Sequence, residues 1–141
     1  MTFTQRILTD LSRYQLEMPT NEIQDIERVL NIFQSVDMCD GIYELYTITN
    51  KLFVDIYRKR FTLYEKLYVY MASLCLVQKF YLDFPYNSES FSHIANLNIT
   101  TFNRIESRIL KYYEFHLPIP ILYQEPKEHI TIDIFEDNTA Y

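Results

Sequence analysis

The twelve residues from Leu67 to Gln78 carry no formal charge, and most of them are apolar. They read Leu-Tyr-Val-Tyr-Met-Ala-Ser-Leu-Cys-Leu-Val-Gln, and Lys79 ends the run. A helix that is apolar on every side belongs at the centre of a bundle. Lys79 therefore needs a partner or a route to water, because an unpaired buried charge is costly. A second charge is out of place at Glu106. On a wheel of about 100° per residue, Phe102, Ile105, Ile109, Leu110, Tyr112 and Tyr113 share one arc, and Glu106 falls inside it. One lysine and one glutamate thus occupy positions where the neighbours predict apolar residues.

The rest of the chain reads as helices around that segment. Ile7, Leu8, Leu11 and Tyr14 recur at helical spacing and predict a leading helix over 4–16, ended before Pro19. Asn21, with Gln24 three residues on, is the expected cap of the next helix, which carries Ile23, Ile26, Leu30 and Phe33. Asp40-Gly41 signals a turn. Beyond it Ile42, Leu45, Tyr46, Thr49, Leu52, Phe53 and Ile56 form a stripe, closed by Arg58-Lys59-Arg60. Thr62 and Glu65 suggest a capping box for the central helix, and Pro85 stops it. Asn87 or Ser88 is the expected cap of a short helix, and Thr100 that of the last one. After Pro118 and Pro120 the helical pattern ends. Residues 129–135 alternate as a strand does, which reads as an extended tail.

Composition narrows the function classes. One glycine among 141 residues argues against turn-rich β folds and against a glycine-rich phosphate loop. A net charge of −6 speaks against general nucleic-acid binding, which calls for a basic patch. Cys39 and Cys75 make neither a disulfide framework nor a metal-ligand set, and Cys75 reads as a small core hydrophobe. His93, His116 and His129 are scattered without metal-ligand spacing. No nucleophile stands beside a base in a recognisable pattern, so no catalytic, cofactor or metal residues are assigned and no small-molecule substrate is expected. The start of the chain lacks a basic-then-apolar leader, and no apolar run approaches the ~20 residues of a membrane span. The expectation is a reducing compartment, nucleus or cytoplasm, and no membrane partner.

Residues 71–86, from Met71-Ala72-Ser73 through Lys79-Phe80-Tyr81-Leu82-Asp83 to Pro85-Tyr86, resemble the third helix of the cyclin box. Residues 101–117, with Asn103-Arg104-Ile105-Glu106 and Tyr113-Glu114-Phe115-His116-Leu117, resemble its fifth helix, and residues 91–97 its short fourth. The similarity is strongest over residues 62–117 and is nearest to the single-box P/U type. It implies an all-α fold: an N-terminal accessory helix in residues 1–20, a box of five helices around a central apolar helix in residues 21–117, and an extended C-terminal tail in residues 118–141. It implies a regulatory subunit that binds and activates a cyclin-dependent protein kinase and performs no chemistry itself. Lys79 and Glu106 take the positions of the family's kinase-binding pair. Arg28 and Asp55 take those of a structural pair between the first two box helices, although Ile56 stands where the family has arginine. The alternative within the same fold is an adaptor or transcription-related scaffold that leaves kinase activity unchanged.

Overall fold

The computed structural model describes residues 1–36, 42–59, 64–114 and 116–118. Among them the chain is all-helical, with six helices and no strand. These are α1 (Phe3–Ser12), α2 (Thr20–Ser35), α3 (Tyr43–Tyr57), α4 (Lys66–Tyr81), α5 (Ser88–Ala95) and α6 (Ile99–Tyr112). No described helix is long and apolar enough to cross a membrane.

The uncharged run forms α4 and lies at the centre. Every residue from Lys66 to Lys79 except Tyr68 is buried. Helices α2, α3, α5 and α6 pack on it, while α1 packs on α2 and α3. The burial of α4 all round follows from its sequence, since no polar face exists to turn toward water. Large rings fill the space between helices. Phe53 meets Tyr70 edge-on, and Phe33 meets Phe91 in the same way. Each fully buried side chain of this size contributes about 1.5–3 kcal/mol.

Helix α1 is tied to the bundle by a polar clasp. The Asn50 amide nitrogen donates to the Ile7 carbonyl at 3.1 Å and to Asp10 at 2.9 Å, and its oxygen accepts from the Tyr70 hydroxyl at 2.6 Å. Asn50 and Tyr70 are both fully buried, so each bond replaces one to water that folding removed. Tyr57 and Arg58 then hold the chain after α1, donating to the carbonyls of Glu17 and Tyr14.

Several expected helix ends are shifted. The first helix is shorter than 4–16 and opens on a capping box of Thr2 with Gln5. Helix α2 starts at Thr20 behind Pro19, so Asn21 lies inside it and caps nothing. Proline's fixed backbone angle suits this junction without a side-chain cap. Asn98, not Thr100, caps α6 by accepting from the Thr101 amide at 3.0 Å. Helix α4 begins after Glu65, one turn later than a cap at residue 62 would place it. Thr62, Asp40-Gly41, Arg60, Cys39 and the alternating segment 129–135 lie outside the described residues. Tyr112, expected on the buried arc of α6, is 47% exposed.

Candidate functional site

Lys79 is in the last turn of α4, where a cation favours the helix dipole. Glu106 stands midway along α6 and is fully buried. Although 27 residues apart in sequence, the two meet: Lys79 Nζ lies 3.0 Å from Glu106 Oε2, and their side chains are 3% and 0% exposed.

A third residue completes the arrangement. Ser88, the first residue of α5, accepts from Lys79 Nζ at 2.8 Å and donates its hydroxyl proton to Glu106 Oε1 at 2.6 Å. Both carboxylate oxygens are thereby engaged, which a desolvated carboxylate requires. Ser88 is free for this role because Asn87 supplies the cap of α5, accepting from the Ser90 amide at 2.8 Å. Asn96 ends α5 in the left-handed conformation, and the Leu97 amide reaches back to the Ser92 carbonyl at 2.8 Å. Between the two caps α5 is fixed in length, so Ser88 is delivered to one place. Cys75, one turn before Lys79, approaches Ser88 at 3.9 Å. Burial pushes the Cys75 thiol well above its ordinary range, and the Glu106 carboxylate adds to the effect. A thiol held protonated in this way is a poor nucleophile.

The chemistry available to this cluster is narrow. Lys79, as an ammonium, has no lone pair with which to take a proton from Ser88. The Ser88 proton is already committed to Glu106, and Ser88 is 3% exposed. The cluster cross-links α4, α5 and α6. Among the described residues no three His, Cys, Asp or Glu side chains converge where a metal ion would bind.

Beside the cluster, the segment between α4 and α5 is held in a fixed shape. The Gln78 side chain donates to the Tyr86 carbonyl at 2.7 Å and accepts from the Tyr86 amide at 2.8 Å, as a neighbouring strand would. Phe84 projects from this segment and is 91% exposed; Tyr86 is 37% exposed.

The expected pair of Arg28 and Asp55 does not form. Arg28 lies 3.7 Å from Asp25 on its own helix, with both side chains at least half exposed. Asp55 accepts from the Tyr113 hydroxyl and lies 3.8 Å from Lys59. Each charge has found a partner nearer in space, and Arg28 is on the exposed face of α2, away from the core. The Asp55–Tyr113 bond instead fastens the end of α6 to the end of α3. Burial first, then this bond, raises the Tyr113 pKa far above the ordinary tyrosine value.

Ser88 and Gln78 are the site residues that sequence reasoning missed. For Ser88 the available signal was its neighbour: Asn87 is the sufficient cap, which leaves the serine hydroxyl unassigned at the start of a helix beside a charged pair. Compared with protein-family models, with curated proteins and with solved structures, the chain finds no match.

Proposed function

We propose that this chain is a cyclin-like regulatory subunit that binds and activates a cyclin-dependent protein kinase. The observation that carries the reading is the meeting of Lys79 with Glu106 across α4 and α6, beside a rigid segment that presents Phe84. Lys79 and Glu106 are the residues that the resemblance to the cyclin box marks for kinase contact.

In the free chain Lys79 bonds Glu106 and Ser88. On this reading, kinase docking exchanges one of those contacts for backbone carbonyls before the kinase's regulatory helix, while Glu106 keeps the ammonium in place. Charge-assisted bonds to backbone hold a loop without reading its side chains. Phe84 and Tyr86 supply apolar area next to that contact, as interface anchors do. Activation follows by differential affinity: the subunit prefers the kinase state with its helix turned inward and enlarges that population. In that state the kinase's own lysine–glutamate pair positions the ATP phosphates.

The test is titration of cyclin-dependent kinases with the purified chain, by calorimetry and by phosphorylation of a model substrate. Saturable activation at near-equal stoichiometry is expected. Lys79→Ala should weaken binding by about 2–5 kcal/mol, the range for truncating one member of a desolvated charge pair. Binding that leaves the kinase rate flat at saturation would replace the activator reading with the adaptor one. Lys79→Ala binding as tightly as the natural chain, with helix content intact, would remove this lysine from the interface.

A further inference from the structure

Helix α6 has a second face that the buried pair does not use. Arg104, Arg108 and Lys111 are all exposed. At about 100° per residue they fall within roughly 60° of one another, opposite Phe102, Ile105 and Ile109. They span about 10 Å along the helix. The one acid on α6, Glu106, is buried on the other side. The outer face is therefore wholly positive on a chain whose net charge is −6.

These cations differ from several others on the surface. Arg13, Arg28 and Lys59 each have a carboxylate within 4 Å on their own helix or at its end. Among the described residues, Arg104, Arg108 and Lys111 form no ion pair and no side-chain hydrogen bond. The helix dipole accounts for Lys111, in the last turn, but not for Arg104 in the middle. Tyr112 closes the stripe at its end, 47% exposed, with Lys59 5.6 Å from its ring centroid.

We infer that the outer face of α6 docks an acidic peptide segment of a partner protein, with carboxylate or phosphate side chains spaced one helical turn apart. Two guanidinium forks suit those planar or multidentate anions. A track one helix wide fits a peptide better than a nucleic acid, whose phosphates need a broader basic surface. The inference stands on the charge of α6 and is independent of the kinase reading.

The full chain is titrated at low salt with a fluorescein-labelled helical peptide carrying glutamate at one-turn spacing. A glutamine version and an oligothymidylate of equal charge serve as comparisons, and anisotropy is the readout. The glutamate peptide should bind, and more weakly as salt rises. The triple change Arg104→Gln, Arg108→Gln, Lys111→Gln should lower affinity about tenfold, the product of three exposed ion pairs. Arg13→Gln, Arg28→Gln, Lys51→Gln together remove the same charge elsewhere and should change it by less than about threefold. Arg104→Lys with Arg108→Lys keeps the charge but loses the forks and should bind less tightly than the natural chain and more tightly than the triple glutamine variant, with circular dichroism reporting an intact fold throughout. Equal losses in the two triple variants, tighter binding of the oligothymidylate, or no binding of the glutamate peptide by the natural chain would each overturn the proposal.

Discussion

Replacing Glu106 by methionine removes the carboxylate from beside Lys79, whose side chain is 3% exposed, and leaves the Lys79–Ser88 bond in place. Breaking a buried pair from one side costs about 3–5 kcal/mol, because the remaining ion stays desolvated. Ser88 still solvates the ammonium in part, so the lower figure applies, about 3 kcal/mol. For a domain of this size that is a fall of about 12 °C in Tm. Lys79→Met should cost a similar amount, since Glu106 then keeps the Ser88 bond but loses its cation. The double change Lys79→Met with Glu106→Met removes both ions. It leaves the Ser88 hydroxyl without its acceptor, a loss of about 1–2 kcal/mol. The double variant should thus be more stable than either single one. Urea unfolding followed by circular dichroism, for all four chains, measures this directly. Single costs below about 1 kcal/mol, or a double cost equal to their sum, would show that the pair is not desolvated and would refute the reasoning.

Three further outcomes follow from bonds elsewhere. Asn50→Leu removes the clasp on α1 and strands the Tyr70 hydroxyl; it should cost about 2–3 kcal/mol and raise hydrogen exchange in α1 before the rest of the fold. Gln78→Ala should cost about 1–2 kcal/mol and expose the Tyr86 amide to rapid exchange, while leaving the interior of α4 protected; unchanged exchange at Tyr86 would count against the clamp. In alkaline titration, Tyr81, pushed up to about 12 by burial, should ionise after the exposed tyrosines, and Tyr70 and Tyr113 only as the chain unfolds. Folding holds these protons more tightly than the unfolded chain, whose tyrosines titrate near ~10. Stability is therefore full below about pH 10 and declines above it, readable as tyrosinate absorbance against circular dichroism.

Much of the bundle was legible because its signals are periodic. The apolar run became α4, and the stripes on either side became helices that bury them. Lys79 and Glu106 were legible as exceptions: each is a charge in an apolar setting, and two such exceptions of opposite sign have a strong reason to meet. The failures share a different cause. Arg28 and Asp55 were matched across helices by pattern, yet exposed charges are satisfied by whichever partner is near, here Asp25 and Lys59. The N-cap positions of α2 and α6 lie two residues before the expected caps because Pro19 and Asn98 are as competent there as Asn21 and Thr100. The clasp at Asn50 had no sequence signal at all, since an asparagine within an apolar stripe is ordinary until Tyr70 and Ile7 are seen around it.

The apolar side chains of α4 by themselves set no preferred rotation; Tyr70 pins the helix to α3 through Asn50 but leaves its alignment with α5 and α6 open. Leucine, valine and tyrosine side chains surround it, so sliding α6 along it by one turn exchanges one greasy contact for another at small cost. The cluster of Lys79, Ser88 and Glu106 ends that degeneracy. Any other alignment would press an ammonium or a carboxylate against hydrocarbon, at several kcal/mol for each ion. The three polar residues thereby act as an alignment key, selecting one packing of α4, α5 and α6 from several that hydrophobicity alone would leave nearly equal.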